Sequence, residues 1–477
     1  MSDEPLQTQH ARLHHIRHTF IEAYRPILQN ASEPVIRIMA RLIKEIQHEC
    51  RAQHIDASII QTDIIDRTMG DINLRLITEC VGEKGGKDDY RLLADELGIA
   101  LPDELLHGNK ATGETYLWLR TQMMECERLL LEQNSDLRLY DILAVGNPIL
   151  RTWLAQDMQQ WGLSVTPAQL YLGLGSMDCI DKVLRGLAHI SRMQHISPGS
   201  ILFPTPGFKT PEWQASSHGY NVVHFATSAI HQFKLMAEEL QVILQTQTDI
   251  RLIYLTITNN PTTFAYTAEE LQAIYAVLAP YRETGRRILV LTDLAYLGTG
   301  KPEDDQARMS IFHDLEILQQ TIFVSSFSKT YTLTGDRFGW VTFGDQTIAA
   351  ALAIIWANSQ SSLPAEWQLR FMAYMRLFQQ RPWLADKLRR LYHFRRMHLI
   401  KQLRQLDNQF HLFQQIYLDD DATIYNWSQL QPHVDCFSLF EKTGIAGIPG
   451  SAFGYSDDFI RFSVGIYPVE SSAQEIK

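Results

Sequence analysis

From Tyr140 onward, short runs rich in β-branched and aromatic residues alternate with longer amphipathic segments, and this alternation restricts the fold more than any other feature. The predicted strands are Leu170–Leu172, Ser200–Phe203, Asn221–Phe225, Arg251–Thr258, Arg287–Asp293, Thr321–Ser325 and Phe338–Phe343. The predicted helices between them include Asp178–Arg192, Thr267–Glu283 and Gln306–Gln319. A chain that alternates in this way is expected to form an α/β fold around a mainly parallel sheet.

The two ends of the chain have a different, mainly helical character. The elements predicted there are helical stretches at Thr19–Cys50, Arg91–Gln133 and Glu366–Leu406, a loop at His107–Thr115, and short strands near Cys436–Phe440 and Ile460–Val464. We therefore expect an N-terminal helical extension (1–60), a first part of a smaller domain with a helical insert (61–140), a large domain (141–360) and a second part of the smaller domain (361–477).

Composition narrows the class of partner. The 477 residues carry a formal net charge of -11, whereas nucleic-acid-binding proteins concentrate Lys and Arg on one face, so a small molecule is the better expectation than a nucleic acid. We find no apolar run long enough to span a membrane and no signal-peptide pattern, which predicts a cytoplasmic protein. The five cysteines are scattered, with no C-x-x-C pair to suggest a redox or zinc motif.

In open α/β sheets, ligands bind outside the carboxyl ends of the strands, so the residues that directly follow each strand are the candidates for chemistry. Those positions hold the segment Gly173–Met177 at the start of a helix, the aromatic Phe208, the pair Asn259-Asn260, the segment Asp293–Tyr296 and the segment Ser326–Lys329. The free N–H groups at a helix start suit a phosphate. Each position alone is more simply a turn, a helix cap or a surface lysine. Together they are the parts needed to hold pyridoxal 5′-phosphate.

The chain resembles the fold-type I pyridoxal-phosphate-dependent enzymes of the class I and II aminotransferase family, from about Ile64 to Tyr467. The most specific part of the resemblance is S-F-S-K-T-Y-T-L-T-G-D-R-F-G, which begins at Ser326, with D-L-A-Y upstream at Asp293. The resemblance implies a seven-stranded, mainly parallel sheet flanked by helices in a large domain, and a smaller α+β domain built from both chain ends. It also implies a homodimer with active sites at the subunit interface.

The resemblance assigns roles around the cofactor. It implies that Lys329 forms the internal Schiff base and later acts as general base, and that Asp293 pairs with the protonated pyridine nitrogen. Tyr296 and Asn260 would bond the ring's phenolic oxygen, and Phe208 would stack on the ring. The phosphate would be bound by Gly175, Ser176, Met177, Ser326 and Arg337. These roles agree with general chemistry, because a carboxylate beside the ring nitrogen maintains the positive charge that stabilises a carbanion.

The resemblance also assigns residues to the substrate and to the second subunit. Arg461, in the late segment F-I-R-F-S-V-G, would hold the substrate's α-carboxylate by bidentate pairing. Gly70 would approach the substrate, as would Asn260. Tyr140 is the candidate for a tyrosine that reaches the partner's cofactor phosphate, although it lies one residue too far upstream for the usual spacing. The alternative for Arg461 is a strand arginine that pairs with a surface carboxylate.

Three departures from the family pattern stand out. The proline usual after Gly-Asp is Ile72, and the glycine usual after N-P-T is Thr263. The connection over residues 74–139 is much longer than in the family. From its position, this insert is expected to shape the substrate pocket or to extend the dimer interface.

The predicted function is transfer of an amino group between an L-amino acid and a 2-oxo acid. One alternative is another reaction on the same scaffold: elimination or replacement, cyclisation, decarboxylation or oxidation in a biosynthetic pathway. A second is a regulator that senses the cofactor and binds DNA, which the mixed charges of residues 1–60 disfavour. The cluster of His10, His14, His15 and His18 is expected to be a solvated helix face and not a metal site.

Overall fold

The computed structural model describes residues 5–30, 33–70, 110–282, 285–418 and 424–465. Within these ranges no helix combines the length and the apolar character that a bilayer crossing requires. The same residues contain no group of three or more His, Cys, Asp or Glu side chains placed to hold a metal ion.

The first part of the chain is helical. Its elements are α1 (Leu6–Gln29), α2 (Val35–Ala52), α3 (Ala57–Asp63), the short strand β1 (Ile65–Asp66), α4 (Lys110–Glu132) and α5 (Pro148–Gln160). Helix α5 begins where Asn147 accepts hydrogen bonds from the first backbone N–H groups, with Pro148 at the first helical position. The predicted loop at His107–Thr115 is wrong from residue 110 onward, because α4 begins there, and its earlier part lies outside the described residues.

The middle of the chain alternates strands and helices, as predicted. Its elements are β2 (Leu170–Leu174), α6 (Ser176–Met193), β3 (Ser200–Thr205), α7 (Thr210–Ser217), β4 (Asn221–Ala226), α8 (Ala237–Thr246), β5 (Ile250–Thr256), α9 (Ala268–Leu278), β6 (Leu289–Asp293), α10 (Pro302–Ser310), α11 (Leu315–Gln319), β7 (Thr321–Ser326), β8 (Phe338–Phe343) and α12 (Gln346–Gln360). The single helix predicted over Gln306–Gln319 is wrong, because a turn at Ile311–His313 separates α10 from α11.

The strands of this region form one seven-stranded sheet in the order β2-β8-β7-β6-β5-β3-β4. Strands β4, β3, β5, β6 and β7 are parallel neighbours, whereas β8 runs antiparallel to both β7 and β2. Successive side chains along a strand belong to different apolar clusters: Phe323 packs into one, while Ile322 and Val324 pack into the other. The sheet is therefore buried on both faces, and the fold-type I α/β architecture expected from the sequence is confirmed.

The last part of the chain builds a second sheet. Its elements are α13 (Ala365–Gln380), α14 (Trp383–Phe410), β9 (Phe413–Ile416), β10 (Tyr425–Leu430), α15 (Cys436–Thr443), β11 (Ile445–Ala446), β12 (Ile448–Pro449) and β13 (Phe459–Ser463). The sheet has the order β12-β13-β10-β9 and is antiparallel. Strand β11 instead pairs with β1, which joins the two ends of the chain.

Two predictions for this last part are wrong in instructive ways. The strand expected near Cys436–Phe440 is the first half of α15, which begins at a capping box in which Asp435 and Ser438 bond each other's backbone N–H. The single helix expected over Glu366–Leu406 is two helices. It breaks at Arg381 and Pro382, because proline cannot donate the backbone hydrogen bond that a continuous helix needs.

Candidate active site

A cavity of about 390 Å³ lies at the carboxyl ends of the central strands, between the central sheet and the second sheet. It is lined by the predicted residues Gly70, Ser176, Met177, Phe208, Asn260, Asp293, Tyr296, Ser326, Lys329, Arg337 and Arg461. It is also lined by residues that the sequence did not single out, namely Ile36, Met69, Thr256, Ala295, Ser328, Thr334, Gly335 and Tyr425. Residues separated by more than 400 positions, such as Ile36 and Arg461, thus meet in one cavity.

Lys329 lies in the turn that follows β7, and its side chain is half-buried in the cavity wall. Its Nζ donates a hydrogen bond to the Gly70 carbonyl oxygen. No carboxylate among the described residues pairs with this amine. An amine that makes one hydrogen bond to a backbone oxygen keeps its remaining donors, or its lone pair when neutral, for a ligand.

Asp293 is the last residue of β6 and is almost fully buried. Its Oδ1 accepts a hydrogen bond from the Ala295 backbone N–H at 2.9 Å, and its Oδ2 accepts one from the Tyr254 hydroxyl at 2.6 Å. Burial raises the pKa of Asp293, and these two hydrogen bonds oppose that rise. The carboxylate is thus held in one orientation beside the cavity.

Tyr296 lies in the turn after β6, and Tyr425 reaches it from β10 of the second sheet. The two hydroxyl oxygens are 3.3 Å apart and joined by a hydrogen bond. Burial raises the pKa of Tyr296 well above its ordinary value, and the neighbouring Tyr425 adds to the rise. The Tyr296 phenol therefore stays protonated at neutral pH and remains a hydrogen-bond donor.

The start of α6 and the end of β7 form a cradle at one end of the cavity. Gly175 has φ of 84°, and a Cβ at this position would overlap the guanidinium of Arg337. Arg337 donates to the Thr334 carbonyl oxygen at 3.1 Å, and no carboxylate among the described residues pairs with it. The Ser326 hydroxyl is buried, lines the cavity and has no hydrogen-bond partner among the described residues. A buried hydroxyl without a described hydrogen-bond partner and a guanidinium without a described carboxylate partner, together with a helix N-terminus, suit a phosphate.

Arg461 lies on β13 and is buried, with 2% of its surface exposed. Its Nη1 donates to Asn260 Oδ1 at 3.0 Å and its Nη2 donates to the Thr68 carbonyl oxygen at 2.5 Å, while its Nε has no partner in the part of the chain that the structure describes. The guanidinium lies 4.2 Å from the centre of the Tyr425 ring. Burial lowers the pKa of Arg461, but a guanidinium remains charged in proteins. A buried cation without a described carboxylate partner favours an anionic ligand over the surface ion pair considered above.

Two predicted site residues are not part of this cavity wall: Gly175, which lies against the Arg337 guanidinium, and Tyr140. Tyr140 is 84% exposed in the loop before α5, beside three other exposed apolar residues, Leu139, Ile142 and Leu143. A role toward a second subunit therefore stays a prediction. The histidines of α1 are not simply a solvated face, since His10 Nδ1 lies 2.7 Å from Asp63 Oδ2 and His18 Nδ1 lies 2.5 Å from Glu441 Oε1.

Two tyrosines belong to the site although the sequence did not point to them. Tyr254 and Tyr425 come from different sheets, and each contacts an aspartate or tyrosine far away along the chain. The sequence held a signal only for Tyr254. This residue lies two positions before Thr256, so both side chains are on one face of β5. That signal says nothing about which residue of the neighbouring strand they meet.

The fold and the cavity together define an α/β enzyme site suited to a phosphate-bearing pyridine cofactor. The fit rests on the unpaired Ser326 hydroxyl, on the space that Gly175 leaves for Arg337, and on a buried carboxylate opposite a lysine amine. A chain with this donor set meets the needs of pyridoxal 5′-phosphate.

The comparison with protein families identifies the class. Residues 146–470 match the family described as aminotransferase class I and II, so the chain belongs to that family, whose enzymes depend on pyridoxal 5′-phosphate. The resemblance found in the sequence is thereby confirmed.

The chain is also similar to individual proteins. It is 29% identical over 227 residues to an asparagine–oxo-acid transaminase of Streptococcus mutans, covering 46% of this chain and 52% of that protein. It is 26% identical over 330 residues to an aspartate aminotransferase of Pinus pinaster, covering 67% of this chain and 63% of that protein. The chain thus spans between half and two thirds of these relatives' lengths. A single mutant of Thermus thermophilus aspartate aminotransferase has the same fold, with a TM-score of 0.65, 18% identity, and coverage of 94% of this chain and 96% of that one.

Proposed function

We propose that this protein is a pyridoxal-phosphate-dependent aminotransferase that moves an amino group between an L-amino acid and a 2-oxo acid. The observation that carries the proposal is the meeting of Lys329, Asp293 and Arg461 in one cavity. Lys329 supplies an amine, Asp293 a buried carboxylate, and Arg461 a buried cation that no described carboxylate neutralises.

Five side chains and a helix start would hold the cofactor. The bound ring supplies an electron sink for the carbon next to the reacting amine. Asp293 would pair with the ring nitrogen and keep it positively charged, and Tyr296 would donate to the ring oxygen. Phe208 lines the same cavity and would pack on the ring face. Ser326, Arg337 and the N–H groups at the start of α6 would bind the phosphate.

Arg461 would orient the substrate. A guanidinium can pair with a carboxylate through two parallel hydrogen bonds, which fixes the direction in which the α-carbon points. Its Nη1 is steadied by Asn260, whose side chain also faces the cavity. Ile36 of α2 and Met69 form an apolar part of the cavity wall.

Lys329 would serve twice. Its amine would hold the cofactor aldehyde in the resting enzyme, and as a free amine it would carry the proton to and from the substrate's α-carbon. The hydrogen bond to the Gly70 carbonyl oxygen would keep the amine on the cavity side of its turn.

We also infer a homodimer, a cytoplasmic location and the domain limits expected from the sequence. The exposed apolar loop at Leu139, Tyr140, Ile142 and Leu143 supports the dimer, because an apolar patch of this kind is typical of a protein–protein contact. In such a dimer, Tyr140 would reach the phosphate end of the partner's cavity.

The proposed reaction is tested by adding a panel of L-amino acids to the cofactor-loaded protein while the visible spectrum is recorded. We expect a spectral change with the true donor that reverses when a 2-oxo acid is added, together with stoichiometric exchange of the amino group. Release of ammonia or carbon dioxide, or a change that no 2-oxo acid reverses, would support another reaction of the same scaffold instead.

A further inference from the structure

The Asp293 carboxylate lines the cavity and is held by two hydrogen bonds. Its Oδ2 accepts the Tyr254 hydroxyl at 2.6 Å, while its Oδ1 accepts the Ala295 N–H at 2.9 Å. No other hydrogen bond to this carboxylate comes from the described residues. Tyr254 is therefore the only side chain in the described part of the chain that fixes the carboxylate.

The position of Tyr254 is itself rigid. It lies in β5, two residues before the strand ends, and β5 pairs with β6 so that Thr256 is opposite Asp293. The Tyr254 ring packs against Phe203 of β3 with ring centres 5.4 Å apart, and the residue is 4% exposed. It lines a small cavity of about 20 Å³ behind the site, and it is not part of the active-site cavity wall.

We propose that Tyr254 is a positioning residue, which aims the Asp293 carboxylate at the pyridine nitrogen of the cofactor and favours its ionised form. The inference rests on the proposed cofactor site, because it concerns the partner of Asp293 and not the reaction. Tyr254 does not touch the cofactor. It acts through the carboxylate.

The electrostatics of the pair give the direction of the effect. Burial is the larger cause and the charge of Asp293 the second cause that raise the pKa of Tyr254 well above its ordinary value. The phenol therefore remains a hydrogen-bond donor. Burial raises the pKa of Asp293, and the Tyr254 hydrogen bond lowers it. Without that bond the pKa of Asp293 rises further, and a neutral carboxyl group cannot pair with a charged ring nitrogen.

Other titratable or charged groups lie near Tyr254 and Asp293. Behind it, Glu212 and Lys234 line the small cavity, and each has a partner: Glu212 pairs with His224 at 2.8 Å and Lys234 pairs with Glu270 at 2.7 Å. On the cavity side the titratable or charged groups are Tyr296, Lys329, Arg337, Tyr425 and Arg461. A Tyr254→Phe variant keeps all of these side chains and removes only the Tyr254 hydroxyl.

The test measures binding and not turnover. Protein freed of cofactor is titrated with pyridoxamine 5′-phosphate, which cannot form the covalent link to Lys329, over a range of pH. We expect Tyr254→Phe to bind about tenfold more weakly, as for the loss of one hydrogen bond to a charged group. As the pH is lowered, we also expect the variant to lose affinity for the probe at a higher pH than the unchanged protein does.

Two controls separate positioning from structure. An analogue of the same probe with carbon in place of the ring nitrogen should bind equally to Tyr254→Phe and to the unchanged protein. Tyr275→Phe removes another buried hydroxyl, which does not line the cavity and lies 2.8 Å from the Thr321 hydroxyl. This variant should bind both probes normally. Equal loss of affinity for both probes, or an unchanged pH dependence, would overturn the role of Tyr254. Failure of the unchanged protein to bind pyridoxamine 5′-phosphate would overturn the proposed function as well.

Discussion

Two adjacent serines at the end of β7 show that the face of a strand to which a side chain points decides whether it can belong to the site. Ser325 and Ser326 are both buried, and neither hydroxyl has a hydrogen-bond partner within the described ranges. Their side chains point to opposite faces of the strand, and only Ser326 lines the cavity. The sequence motif predicted this assignment because the register is set by the position of Lys329, three residues later.

A pair of alanine substitutions tests whether a phosphate is the missing partner of Ser326. Ser326→Ala should weaken binding of pyridoxal 5′-phosphate by about tenfold, because it removes a hydrogen bond to a charged group. Ser325→Ala, which removes an equally buried hydroxyl, should leave the affinity unchanged. Equilibrium dialysis gives both values, and equal affinities of the two variants would show that Ser326 does not contact the phosphate.

At the scale of elements, the strands were predictable and several helix limits were not. Each central strand is a short apolar run bounded by turn residues, and β7 and β8 lie within a residue of their predicted limits. The apolar run Cys436–Phe440 fits a strand or a buried helix equally well, and the Asp435 cap decides for the helix. Contacts such as that of Tyr254 with Asp293 depend on which strands are neighbours, and one sequence does not contain that information.

Helix α5 carries a carboxylate whose environment penalises its charge. Burial raises the pKa of Asp157 to about 7, and no hydrogen bond to this side chain comes from the described residues. A carboxyl group with a pKa above its unfolded value of 3.8 costs stability as pH rises from that value towards 7, and the cost is complete above 7.

Replacement of this carboxylate should therefore stabilise the protein in a pH-dependent manner. Asp157→Asn is expected to raise the free energy of unfolding by roughly 1–3 kcal/mol at pH 8, and to have a much smaller effect near pH 4, where Asp157 is neutral in the folded state and only partly ionised in the unfolded state. Urea unfolding at the two pH values measures the difference. A gain of the same size at both values would mean that ionisation of Asp157 is not its cause.

For the whole molecule, the family resemblance predicted more than periodicity alone could. Gly70, Asn260, Lys329 and Arg461 come from distant parts of the chain, and they line one cavity as the resemblance implied. The expected insert over residues 74–139 lies largely outside the described residues, and its described part includes helix α4, which packs against α13.

The exposed loop before α5 is where the proposed dimer can be tested. Ile142 is 90% exposed within the apolar loop, and Ile230 is 89% exposed elsewhere on the surface. Ile142→Asp should convert a dimer to a monomer, because burying an unpaired charge in an interface is costly. Ile230→Asp should leave the dimer intact. Light scattering coupled to gel filtration distinguishes twice the chain mass of 54.8 kDa from the single mass; a dimer that survives Ile142→Asp would place the interface elsewhere.

The central claim is that the amine of Lys329 binds the cofactor. The most direct measurement is reduction of the cofactor-loaded protein with borohydride, followed by proteolysis and mass spectrometry of the peptides. We predict that the added mass is found on the peptide that contains Lys329, and that Lys329→Ala, although folded, acquires none at that site. A label on another lysine, or a protein that takes up no cofactor, would contradict the account.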